Sequence, residues 1–165
     1  MERTFTRILV PTDFSEPSDA ALEYAKTLAE KFGASLHLLH VFEDPFATGA
    51  FAAEMYVPVP VETRDAMIAD AKKNLVERVP AGDSARFFAT TEVVIGLSAR
   101  AIVDYTVTND IDLIVMGTHG RGGLAHLFMG SVAERVVRTA PCPVLTVHSP
   151  AVAAARAELA KAQAA

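Results

Sequence analysis

A single cysteine, Cys142, leaves no partner for an internal disulfide, and a lone thiol suits a reducing compartment. No apolar run approaches the ~18 residues that a membrane-spanning helix requires. The opening residues, Met1-Glu2-Arg3-Thr4, lack the apolar stretch of a secretory signal. Basic residues are outnumbered, with 15 Lys and Arg against 20 Asp and Glu, a net charge of −5 and a pI of about 5.5. That balance argues against nucleic acid or an anionic membrane as a partner. From these absences we expect a cytoplasmic chain with no membrane span. Familiar catalytic signatures are missing too. No Lys-Ser/Thr pair follows a glycine, so there is no Walker A loop. The dinucleotide fingerprint would place glycines in the first strand-to-helix turn, where the chain instead reads Pro11-Thr12-Asp13-Phe14-Ser15. No Ser-His-Asp arrangement, no carboxylate pair with an evident role and no cysteine ligand set presents itself.

What is present is apolar and periodic. Of the 165 residues 51% are hydrophobic, too many for a disordered chain and enough for one self-sufficient core. Apolar runs predict strands over Arg7–Pro11, Ser35–Phe42, Ala85–Ile95, Ile111–Met116 and Pro143–His148. Between the first two, Ser15 is a candidate N-cap and Pro17 suits a first helical turn. Ala21, Leu22, Ala25, Leu28, Ala29 and Phe32 then recur at helical spacing up to a stop at Gly33. Further helices are predicted over Val61–Val79, ended by Pro80 and Gly82, from a Ser98 cap to about Asn109, and from Ser131 to about Thr139. Residues 43–60, with Pro45, Gly49, Pro58 and Pro60, form a long irregular connection, often a functional one.

Alternating strands and helices predict an α/β fold: a doubly wound five-stranded parallel sheet, order 3-2-1-4-5, with helices on both faces. We expect one domain over residues 1–149. Residues 150–165 are expected to be an alanine-rich tail, helical or disordered, with nine alanines from 151 onward. In such a sheet the switch point lies between strands one and four, and ligands bind there, outside the carboxyl ends of the strands.

One of the two segments at that place is a glycine-spaced loop. Gly117 and Gly120 follow the apolar run Leu113–Met116, and after nine intervening residues Gly130 and Ser131 open a helix. Glycine admits positive φ and close approach of a ligand, and a helix start offers unpaired N–H groups at the positive end of a dipole. From 117 to 139, Arg121, Arg135 and Arg138 outweigh Glu134, so this stretch is basic within an acidic chain. The plainer alternative is three glycines that serve turns and a serine that caps a helix. The other segment carries Asp13, whose carboxylate could accept from ribose hydroxyls, help hold a phosphate-bound metal ion, or simply shape a turn. Val41 could offer its backbone to an adenine edge, or be core alone. His119 and His126 read as solvated loop residues rather than metal ligands. His37 and His40 have opposite parity along their strand and so point to opposite faces. Cys142, between Pro141 and Pro143, is expected to pack rather than react.

The loop resembles the G-x2-G-x9-G-[S/T] motif of the universal stress protein family, in its nucleotide-binding branch. The resemblance extends to Ile8-Leu9-Val10-Pro11-Thr12-Asp13-Phe14-Ser15, to Val94 through Ile102, and to Ala140 through Val147. It implies an ATP site. Asp13, with Pro11 and Thr12 beside it, would lie at the ribose, and Val41 at the adenine. Met116, Gly117, Gly120 and Arg121 would run along the ribose and phosphates, and Gly130, Ser131 and Val132 would take the phosphates. Mg2+ or Mn2+ would accompany the ATP. The resemblance further implies a homodimer through the fifth strands, which would cover an exposed edge. A phosphate cradle with no evident general base favours a regulatory, stress-response module with little or slow hydrolysis. A slow ATPase, an adenylate-forming enzyme, a phosphoacceptor domain and a dimeric scaffold are the competing readings. The adenylate-forming reading wants a serine- and glycine-rich first turn, and the phosphoacceptor a lysine after the last strand; neither is present.

Overall fold

The computed structural model describes residues 4–43, 60–118 and 130–148. Five parallel strands, β1 (Arg7–Pro11), β2 (Ser35–Phe42), β3 (Thr90–Ile95), β4 (Leu113–Gly117) and β5 (Val144–Val147), form one sheet in the order β3-β2-β1-β4-β5. The helices are α1 (Glu16–Phe32), α2 (Val61–Arg78), α3 (Ala81–Arg86), α4 (Ser98–Thr108) and α5 (Ser131–Thr139).

Strand parity divides the core into two layers. Ile8, Val10, Leu36, Leu38, Leu113 and Val115 face α1 and α2, where they meet Ala21, Leu22, Ala25 and Leu75. Leu9, Leu39, Ile114 and Met116 face α4 and α5, where they meet Ile102, Tyr105, Ala133 and Val136. The central strands are buried on both sides, which is why they read as unbroken apolar runs. Each fully buried aliphatic side chain contributes roughly 1.5–3 kcal/mol relative to exposure. Local signals set the ends of α1. Pro17 lies in its first turn, Glu16 and Asp19 complement the positive helix end, and Gly33 closes it in the left-handed conformation at φ 67°.

The third strand is shorter than expected. Ala85 and Arg86 belong to α3, which follows Pro80 and carries Gly82 in its interior, so Gly82 ends no helix. Phe88, at φ 45°, then turns the chain into β3. The fourth helix also starts differently. Leu97 occupies the cap position, and the Glu43 carboxylate caps from a distance by accepting from the Ser98 amide at 2.7 Å. Residues 44–59, residues 119–129 and the tail from 149 lie outside the described residues. Among the described residues no helix is long and apolar enough to cross a membrane.

Candidate functional site

The site is set by where β1 and β4 part. At their amino ends they are stitched together. The Asp112 carboxylate accepts from the Thr6 amide at 2.8 Å and the Thr6 hydroxyl at 2.7 Å, and the Asp112 amide donates to the Arg7 carbonyl. Their ladder then runs only through Ile8–Leu113 and Leu9–Ile114. Above it each strand stays with its outer neighbour. β1 pairs with β2 as far as Pro11–Leu39, and the Thr12 amide donates to the Leu39 carbonyl at 2.8 Å. β4 pairs with β5 as far as Gly117–Val147, and the Thr118 amide donates to the Val147 carbonyl at 2.9 Å. No ladder pair joins the carboxyl ends of β1 and β4, and this is the switch point, where open α/β sheets have their crevice.

On the β4 side, the Gly130 amide donates to the Thr118 carbonyl at 2.7 Å. This bond joins the two ends of the glycine-spaced loop and sets the start of α5 beside the end of β4. Thr118 is buried, and its hydroxyl lies 3.1 Å from His148 Nδ1. The first intrahelical bond of α5 runs from the Glu134 amide to the Gly130 carbonyl. The amides of Ser131, Val132 and Ala133 therefore have no partner within the helix and form its positive end. Ser131 is exposed and Val132 half-buried against the α4/α5 layer.

The glycines have different reasons. Gly130 sits at φ −60°, ψ 150°, so the positive φ anticipated for this loop does not occur there. A side chain is admissible on conformational grounds. At Gly117 an added Cβ would come within 2.9 Å of Pro17 Cβ and 3.0 Å of the Pro17 carbonyl, so glycine lets β4 pack against the start of α1. Gly120 and Arg121 lie outside the described residues, as do His119 and His126.

On the β1 side, the turn is closely hydrogen-bonded. The Thr12 hydroxyl accepts from the Phe14 amide at 3.0 Å and lies 3.0 Å from Ser18 Oγ, so this side chain is committed to the turn. Asp13 Oδ1 accepts from the Ser15 amide at 3.2 Å and from the Ser15 hydroxyl. Ser15 is the N-cap residue of α1, as expected, but its hydroxyl serves Asp13 rather than the helix. Phe14 is held at φ 65°, a region that costs an L-residue roughly 1–2 kcal/mol.

Val41 is placed by register. In a parallel ladder alternate residues turn their N–H and C=O to opposite neighbours. Leu39 bonds toward β1, through Thr12, and Phe42 toward β3, accepting from the Gly96 amide at 3.1 Å. Val41 therefore turns its backbone polar groups to the β1 side, at a level where the chain after Thr12 has already left for α1. By the same parity Pro11, Val41 and Met116 share the α4/α5 face, on which α5 and its start at Gly130 lie. Of the sequence-predicted set, Pro11, Val41, Met116 and Val132 lie on this face and Thr12 and Asp13 in the turn above it, while Gly117 turns toward α1.

The histidines behave as their parity requires. His37 lies on the α4 side with Nδ1 3.1 Å from the Tyr105 hydroxyl, while His40 lies on the α1 side. His40 Nδ1 is 2.8 Å from the Thr12 carbonyl, which can only accept, so that nitrogen carries a proton. Burial, with Arg7 nearby, lowers the His37 pKa against an opposing pull from Glu92. Burial beside the Glu92 carboxylate pushes the Tyr105 hydroxyl up to about 12. Burial also raises the Cys142 thiol, which fits a packing role. Among the described residues no group of three His, Cys, Asp or Glu could hold a metal ion.

A sequence profile described as the universal stress protein family matches residues 4–148, nearly the whole chain. The chain belongs to the universal stress protein family. It is 33% identical over 156 residues to a universal stress protein of Methanocaldococcus jannaschii, covering 90% of this chain and 85% of that one. The solved universal stress protein UspA of Lactobacillus plantarum is 34% identical and superposes with a TM-score of 0.75, covering 88% of this chain and 99% of that chain. A universal stress protein of Archaeoglobus fulgidus solved in complex with dAMP shares the fold at 22% identity, with a TM-score of 0.59 over 88% of this chain and 99% of that one.

Sequence reasoning missed the groups that brace the Asp13 turn, namely Ser18, His40 and Arg78. A phenylalanine inside a tight turn was the available signal, since such a ring needs something to rest on.

Proposed function

We propose that this chain is an ATP-binding regulatory module of its family, with little or slow hydrolysis. The observation that carries the reading is the crevice between β1 and β4. It is flanked on one side by the Asp13 carboxylate and on the other by the amides at the start of α5 that have no partner within the helix. Triphosphate would lie on Gly130, Ser131 and Val132, where the helix end favours an anion. Gly130 fits this role, because its conformation does not itself call for glycine while a close-lying phosphate would. Ribose would meet Asp13, beside Pro11 and Thr12. Adenine would meet the backbone of Val41, with Met116 and Gly117 along the path between. Gly120 and Arg121 are proposed to complete the phosphate contacts. Mg2+ or Mn2+ would arrive on the phosphates and neutralise part of their charge. A homodimer through β5 is part of the same proposal, supported by an edge strand whose Leu145 remains 39% exposed.

Equilibrium binding of a labelled adenine nucleotide tests the core of this. Saturable ATP binding is expected, and its absence at millimolar ligand rejects the reading. Gly130→Val should abolish binding by filling the phosphate position, with an unchanged circular dichroism spectrum. Ser131→Ala should lose about 1.5–3 kcal/mol, as for a hydrogen bond to a charged group. Asp13→Ala should weaken ATP more than bare tripolyphosphate; equal losses contradict the ribose assignment. Turnover by the wild type well above that of a Gly130→Lys control would instead favour an enzyme.

A further inference from the structure

We infer that Arg78, the last residue of α2, is a positioning residue for the nucleotide site and acts through Phe14 on the Asp13 turn. The inference rests on the ribose reading of Asp13. Phe14 is one of three non-glycine residues with positive φ among the described residues. An aromatic residue stays in that region only when its surroundings hold it there.

Phe14 is held from three directions. Its amide donates to Thr12 Oγ1 at 3.0 Å. Its carbonyl accepts from Arg78 Nη2 at 3.3 Å. Its ring lies under the Arg78 guanidinium, 4.8 Å from the ring centre, and stacks on His40 at 4.4 Å with an interplanar angle of 24°. Arg78 is itself fixed to α1, with Nε 2.7 Å from Asp19 Oδ1 and Nη2 3.5 Å from Oδ2. On the other flank of Asp13, the Thr12 carbonyl accepts from His40 Nδ1 at 2.8 Å. Both neighbours of Asp13 are thereby immobilised, one through α2 and the other through β2. The peptide units on either side of the carboxylate keep one orientation. Loss of the guanidinium would remove both the carbonyl contact and one face of the ring stack, and Phe14 would relax toward negative φ. That change rotates the Asp13–Phe14 peptide and moves the carboxylate. The plainer role, an ion pair joining α2 to α1, predicts no effect on ligand selectivity. It would also contribute little to stability, because both partners are partly exposed.

The test is a double-mutant cycle on the full chain, read with two probes, ATP and inorganic tripolyphosphate. Arg78→Met should weaken ATP by on the order of 10-fold, close to the loss from Asp13→Ala, and leave tripolyphosphate nearly unchanged. On the Asp13→Ala background it should do nothing further. Additive losses, or equal losses for both probes, overturn the proposal. ATP affinity lowered by Asp13→Ala but untouched by Arg78→Met overturns the positioning role alone. ATP affinity untouched by Asp13→Ala overturns the ribose reading beneath it. Amide hydrogen exchange gives a readout without nucleotide. Phe14 and Ser15 should exchange faster in Arg78→Met, and wild-type rates at both positions sink the idea. Arg78→Lys keeps the charge opposite Asp19 but not the fork that also reaches Phe14. It should show the same selective loss, and it serves if Arg78→Met does not fold.

Discussion

Gly117 and Gly130 divide the labour of one sequence motif. Gly117 is needed by the fold, since a methyl group there meets Pro17 backbone atoms at 3.0 Å that cannot swing aside. Gly117→Ala is expected to destabilise the protein by about 1–3 kcal/mol, as overpacking does. Urea unfolding without nucleotide measures this, and an unchanged midpoint refutes it. Gly130 sits in a conformation open to any residue. The motif was legible from spacing alone, but this division of roles was not. Gly117 ends a strand and Gly130 caps a helix that the sequence already announces, but nothing in the sequence says that the first faces a proline while the second keeps a negative φ. The bracing of Asp13 was equally hidden, because Phe14 and Arg78 are 64 positions apart in the chain.

Among the elements, β2 and α4 are joined through His37 and Tyr105, and the join is sensitive to pH. Burial lowers the folded pKa of His37 below its ordinary 6.5. Between the folded and unfolded values the unfolded chain binds more protons, so stability rises with pH across that window. Urea midpoints are therefore expected to fall as pH drops below about 6.5, and His37→Gln should flatten the fall. At the other extreme Tyr105 holds its proton to about 12, against 10 when unfolded, so stability declines as pH climbs between those values. An identical pH profile in His37→Gln counts against the assignment. Element boundaries were legible where caps and periodicity agreed, as at Gly33 and over Ser131–Thr139. They failed at α3, because six residues are too few to display a helical period and the following Phe87-Phe88-Ala89 run imitates a strand.

For the whole molecule, strand order was legible, since right-handed crossovers leave few ways to arrange alternating strands and helices. What the order did not reveal is that β1 and β4 part after two paired residues. The proposed dimer contact lies at the β5 edge of the sheet. If two copies pair there, Leu145→Glu should yield monomers by light scattering while the far-ultraviolet spectrum is retained; dimers that persist remove β5 as the interface. The short bond from the Gly130 amide to the Thr118 carbonyl carries a further consequence. Donor and acceptor are both main-chain atoms, so the clasp between the end of β4 and the start of α5 depends on neither side chain, and a proline at position 130 would remove its donor outright.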